Sequence, residues 1–176
     1  GITSFDKCGF YSASDRNYAE IAPLPKGLDN FAATYHDGML WVAGGQCQGV
    51  PNKEVYSLPW PGDAKEWTLA ATLPDECRLQ PCVAVQGTAK GNCLFVFGGY
   101  QSKNDSLGLA PAVHTDGVYM SIAELKKGGA DTSQWKRTSP ASVWVDNTQD
   151  GGRELCRQAI VGSTSTSIGY SHVAFF

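Results

Sequence analysis

Residues 29–46 read DNFAATYHDGMLWVAGGQ, and residues 79–100 read LQPCVAVQGTAKGNCLFVFGGY. Each stretch runs from small and apolar residues into a turn, then into an apolar strand that stops on a glycine pair. The pairs are Gly44-Gly45 and Gly98-Gly99, and their first members stand 54 residues apart. Beyond each pair come a Val-Tyr couple (Val55-Tyr56, Val118-Tyr119) and then a tryptophan, Trp67 or Trp135. Self-similarity at a period of about 50 residues predicts an all-β fold built of propeller blades, of the length found in kelch repeats.

The totals agree with one turn-rich globular domain. The chain has 176 residues, 42% hydrophobic and 18% charged, with 20 glycines and 9 prolines, which is too apolar for disorder. Net charge is −3, and no Lys/Arg run is longer than the pair Lys126-Lys127. Nothing in that pattern points to nucleic acid or to an anionic lipid surface. No apolar run reaches 18 residues, so no membrane span is expected. The first residues, GITSFDKCGFY, lack the basic-then-apolar layout of a signal peptide.

Outer strands repeat as well. NYAEIAPLP at 17–25 has the layout of WTLAATLPD at 67–75, and WKRTSPA supplies a weaker third copy. Each reads as an outer strand followed by a proline-marked link, with Tyr18, Trp67 and Trp135 packed between blades. The register divides the chain into the end of a blade (1–25), a full blade (27–74) and a second full blade (78–140), which is swollen by QSKNDSLGLAPAVHTD. A loop-rich link (141–170) and the first strand of a further blade (171–176, SHVAFF) follow. Two full and two partial blades cannot close a ring of four to eight, and open repeat edges invite association. The expected partner is therefore the remainder of the propeller or a self-associating copy.

With the register set, PLPKGLDNFAATYHDGMLWVAGGQ, ECRLQPCVAVQ…LFVFGGY and GYSHVAFF together resemble the kelch-type mutarotases. The resemblance is to the cyclically permuted branch, relatives of bacterial N-acetylneuraminate epimerase. It covers about residues 17–122 and 168–176. It implies a six-bladed propeller that interconverts the anomers of sialic acid without a cofactor, on a small-molecule sugar, in the periplasm or outside the cell. It also places the blade carrying the proton-accepting acid of the epimerase beyond Phe176.

Loops leading into the innermost strands open onto a propeller's central channel. Alignment on the turns puts Asn30, Gln80 and Ser171 at equivalent rim positions, with Asp29 and Arg78 just upstream and His172 next along. Convergent polar groups of this kind make a pocket. Arg78 has the planar fork that grips a carboxylate such as that of sialic acid, although an arginine there also suits the carbonyls of a neighbouring loop. His172 has the pKa range needed to take a proton from the anomeric hydroxyl and deliver one to the ring oxygen. Asp29, Asn30 and Gln80 are expected to orient sugar hydroxyls, and Asp and Asn are also ordinary turn formers.

The remaining chemistry-bearing residues point elsewhere. His36 and His114 read as solvated loop residues and Trp41 as core. The three histidines are scattered, so no metal site is expected. Cys82 and Cys93 fall in apolar strands and read as core residues, with a local Cys77–Cys82 disulfide as the alternative. The glycine pairs follow strands without opening a helix, which argues against a phosphate cradle. Two functional readings remain: a sugar isomerase of the sialic acid type, or a non-catalytic propeller that binds protein or glycan, because fold alone does not decide.

Overall fold

A computed structural model of the chain describes residues 4–74, 78–89, 91–101, 112–129, 131–146, 153–157, 160–162, 165–168 and 172–175. The strands run in chain order as β1 (Cys8–Ser12), β2 (Asn17–Ile21), β3 (Asp29–His36), β4 (Met39–Cys47), β5 (Val50–Pro51), β6 (Glu54–Pro59) and β7 (Thr68–Thr72). They continue as β8 (Cys82–Thr88), β9 (Gly91–Phe97) and β10 (Gly117–Ser121). A one-turn helix α1 (Ile122–Leu125) precedes β11 (Lys136–Arg137), β12 (Ser142–Asp146), β13 (Arg153–Arg157), β14 (Ser165–Ile168) and β15 (His172–Phe175). No helix among the described residues is long and apolar enough to cross a membrane.

The protein is all-β, a partial β-propeller. One antiparallel sheet has the order β3-β4-β6-β7, with β5 beside β4, and the next has the order β8-β9-β10-β11. These are the two complete blades. Pairs β1–β2, β12–β13 and β14–β15 form separate two-stranded sheets. The stretch 141–170, expected to be loop-rich, therefore contains β12, β13 and β14. The segment at 172–175 is the second strand of a pair rather than an opening strand. Its Thr- and Ser-rich partner, STSI, has no apolar run to mark it as a strand.

Blades are apolar on both faces because alternate residues of each strand point to opposite neighbours. Trp41, Ala43 and Val55 of the first blade join Val83, Val85, Leu94, Val96 and Val118 of the second in one core. Val42, Tyr56, Leu58 and Trp67 face the other way, onto Ala22, Leu24 and Leu28. Each fully buried aliphatic here contributes about 1.5–3 kcal/mol relative to exposure. Cys82 and Cys93 are buried in these strands as core residues with free thiols, and Cys77, which the alternative disulfide would use, lies outside the described residues.

The two tryptophans act as clamps between blades. Trp67 Nε1 donates to the Ala22 carbonyl at 2.8 Å, and Trp135 Nε1 donates to the Thr72 carbonyl at 2.8 Å. Trp135→Phe keeps most of the apolar contact and strands that carbonyl. A loss of about 1 kcal/mol is expected in urea unfolding, the usual worth of one such bond. Tyr18 departs from the pattern. It is 78% exposed on the two-stranded β1–β2 sheet, its ring 4.8 Å from that of Tyr11.

The glycine pairs explain why the repeat is legible. Gly44, Gly45, Gly98 and Gly99 all have positive φ. A Cβ on Gly44 would lie 2.5 Å from the carbonyl oxygen of Arg78, and one on Gly98 would collide with the carbonyl oxygen of Ile160. The lead-in loop of each following blade thus runs against the glycine pair of the one before. Gly45 N–H donates to Arg78 O at 2.9 Å, and Gly99 N–H donates to Ile160 O at 2.7 Å.

Candidate functional site

Backbone bonds fix which residues share the rim. Gln80 N–H donates to Asn30 O at 2.7 Å, and Gly162 N–H donates to Gln80 O at 3.0 Å. All three sit in the left-handed region, with φ of 53°, 51° and 64°. Asn30, Gln80 and Gly162 therefore take the same position in three successive lead-in loops. Asn30 and Gln80 take equivalent backbone positions in their two loops. The third equivalent is Gly162, not Ser171, which lies outside the described residues. Alignment on SHVAFF misplaces the third copy because the following strand, not the inner one, has the apolar spelling.

Side chains extend this row. Gln80 Nε2 donates to Asn30 Oδ1 at 3.2 Å, and Asn30 Nδ2 donates to Asp29 Oδ1 at 2.8 Å. The same Asp29 oxygen accepts from Gln46 Nε2 at 2.8 Å, and Oδ2 accepts from Ser4 Oγ at 2.7 Å. A polar row thus links Ser4, the first blade and the second blade. Sequence reasoning missed Ser4 and Gln46. Gln46 had a signal, since it follows the glycine pair and so must lie across from the start of the inner strand; the register pairs it with Asp29. Beyond Gln80 the row ends at Gly162, which has no side chain and where a Cβ would press on Gln80 Oε1 at 3.3 Å.

Arg78 does not point into this space. It is fully buried in the wall between blades, as the alternative reading of a loop-bonding arginine requires. Its Nη1 donates to Gly98 O at 2.7 Å and to Asp116 O at 3.1 Å, and its Nη2 donates to Asp116 Oδ1 at 2.9 Å. Arg137 Nη1 reaches the other Asp116 oxygen at 2.8 Å. Burial would raise the Asp116 carboxyl pKa, but hydrogen bonds and charge from both arginines outweigh it and hold the group below its ordinary value. His114, expected in solvent, has a side chain only 13% exposed, with Nδ1 4.0 Å from Asp116 Oδ1.

His172 is also away from the rim. It pairs with Ile168 at the far end of β14. It is exposed. His36 occupies the corresponding lower end of β3, where its Nε2 lies 3.0 Å from Asn92 Nδ2. Among the described residues no three His, Cys, Asp or Glu side chains gather as a metal site.

No protein-family profile matches the chain, and no curated protein matches it. Among solved structures the chain is similar to that of YjhT, with a TM-score of 0.56 and 15% identity over 85% of this chain and 34% of that one. The chain thus spans about a third of the length of that structure. The likeness supports the propeller fold.

Proposed function

We propose that this chain belongs to a sugar isomerase of the N-acetylneuraminate (sialic acid) mutarotase type, with the sugar held at the channel rim. The observation that carries the reading is the hydrogen-bonded row Asp29–Asn30–Gln80, which crosses from one blade to the next at the inner-strand lead-in. Amide side chains both donate and accept, so Asn30 and Gln80 can exchange their mutual bond for a pair of sugar hydroxyls. Asp29 fixes the orientation of the Asn30 amide. The permuted kelch mutarotase resemblance supports the choice of substrate.

A second reading is a non-catalytic glycan-binding propeller. Arg78 and His172, the groups suited to gripping a carboxylate and moving protons, are engaged in a wall and placed at the opposite end of β14. The rim therefore carries hydrogen-bonding groups first. Exchange spectroscopy by NMR on N-acetylneuraminate separates the two readings. Anomer exchange faster than in buffer, reduced about tenfold by Gln80→Ala, is the expected result, one lost hydrogen bond being worth about 1 kcal/mol or slightly more. Buffer-rate exchange with ligand binding retained favours the second reading, and absence of binding overturns both.

A further inference from the structure

One carboxylate sets the direction of the side-chain hydrogen bonds in the rim row. A carboxylate only accepts. Asp29 Oδ1 takes Asn30 Nδ2 and Gln46 Nε2, both at 2.8 Å, and Oδ2 takes the Ser4 hydroxyl at 2.7 Å. Ser4 Oγ in turn accepts from Gln48 N–H at 2.8 Å, so its one proton is committed to Asp29. With Nδ2 held by Asp29, Asn30 presents Oδ1 to Gln80. The Gln80 atom that meets Oδ1 at 3.2 Å must then be the nitrogen. Turning either amide over would set acceptor against acceptor.

The Gln80 amide therefore points Oε1 away from Asp29 and toward the third lead-in loop, beside Gly162. Among the described residues no donor reaches that oxygen, and it is not sealed from solvent. Charge has the same sense. Asp29 is the charged member of the row, and Arg78, the cation nearest to Gln80 in the chain, is fully buried and committed to Gly98 and Asp116.

We propose that the row selects the hydrogen-bond donors of its ligand: Gln80 Oε1 accepts from a sugar hydroxyl or an acetamido N–H, and the carboxylate of an acid sugar faces away from it. A carboxylate placed at Oε1 would meet another acceptor with the Asp29 charge behind it. A hydroxyl or N–H meets the same oxygen as a donor and polarises the row in the direction it already has. Asp29 is thus a positioning residue, which touches no ligand and fixes the sense of both amides. The proposal rests on the reading that a sugar occupies the rim, and it assigns which side of that sugar faces Gln80.

Calorimetric titration tests the assignment with N-acetylneuraminate, its methyl ester, and analogues that each lack one hydroxyl or the acetamido group. Gln80→Met removes both polar atoms of the side chain. It should weaken N-acetylneuraminate and the methyl ester by the same factor, about tenfold for one hydrogen bond. With one of the donor-lacking analogues that loss should vanish, because the two groups are coupled. A loss that vanishes with the methyl ester instead, or persists with every donor-lacking analogue, overturns the proposal. Urea unfolding tests the polarity without ligand. Gln80→Glu should lower the midpoint at pH 7 and regain it on acidification, since a protonated Glu has an O–H to give to Asn30 Oδ1. Adding Asp29→Asn frees Asn30 to turn its Nδ2 to the new carboxylate and should recover part of the loss at pH 7. An unchanged midpoint for Gln80→Glu at pH 7 means that Asn30 already turns freely, and it overturns the proposal. Failure of every sugar to bind overturns the sugar reading and the proposal with it, while the urea result still shows whether the row is polarised.

Discussion

Gly44→Ala is expected to destabilise the protein by about 2–5 kcal/mol in urea unfolding. Two costs add. At φ of +73° any Cβ is strained by about 1–2 kcal/mol. The new methyl would also lie 2.5 Å from Arg78 O and 3.0 Å from Pro81 Cγ, and overpacking of that kind costs about 1–3 kcal/mol more. Neither neighbour can step aside cheaply. The Arg78 carbonyl already accepts from Gly45 N–H, and Pro81 is buried at the start of the second blade. Gly49 supplies the internal control, with φ of +83° and nothing within 4 Å of the place a methyl would take. Gly49→Ala therefore reports strain alone. The gap between the two variants should equal the packing cost, and equal losses would show that the glycine pair serves only its own turn.

That contrast explains how much of the fold could be read from sequence. The glycine pair is spelled out because no other residue satisfies both the backbone and the approach of the next blade. The Trp67 and Trp135 clamps are spelled out because each buries a large ring and uses its one N–H. Tyr18 occupies the corresponding place in the spelling, yet its ring lies on an exposed face of the two-stranded β1–β2 sheet. A repeat position specifies a residue type, and the neighbouring sheet decides whether it is covered. β14 was illegible for a different reason. An inner strand is recognised by its apolar alternation, and Ser165–Ile168 reads STSI. Only the backbone bonds of Ile160 and Gly162 reveal it, and backbone donors leave no trace in side-chain pattern.

The candidate site divides along the same line. Asn30 and Gln80 were aligned correctly because both precede apolar inner strands. The third member was misassigned because alignment on side chains found β15, one strand too late. The same shift puts His172 of β15 level with the lead-in loops, whereas it pairs with Ile168 at the end of β14. Asp29 belongs to the row, and its partner Ser4 stands too far away in the chain for spacing to suggest it. Arg78 lies in the lead-in loop as expected, but no local pattern could foretell that Asp116, 38 residues on, would capture its guanidinium.

Asp116→Ala is accordingly expected to cost about 2–4 kcal/mol, toward the lower part of the range for a broken buried ion pair because Asp116 is itself a fifth exposed. The loss arises mainly from what remains, since Arg78 would stay fully buried with its charge no longer matched. Arg78→Met removes that charge but strands the carbonyl of Gly98, which accepts from it at 2.7 Å, while the Asp116 carbonyl keeps the N–H of Gly98 at 2.9 Å. Its cost should be about 1–3 kcal/mol, the penalty for one carbonyl that water cannot reach. The double variant should cost less than the sum of the singles. The pH dependence has a definite sign. Arg78 and Arg137 hold the folded Asp116 pKa below its ordinary value. Its contribution to stability is therefore complete above the unfolded carboxyl pKa of about 3.9 and is lost as pH falls through the folded value. The stability gap between the unaltered protein and Asp116→Asn should close on acidification. A substrate-gripping Arg78 would produce the reverse pattern, with ligand binding lost, unfolding unchanged in Arg78→Met, and no coupling to Asp116.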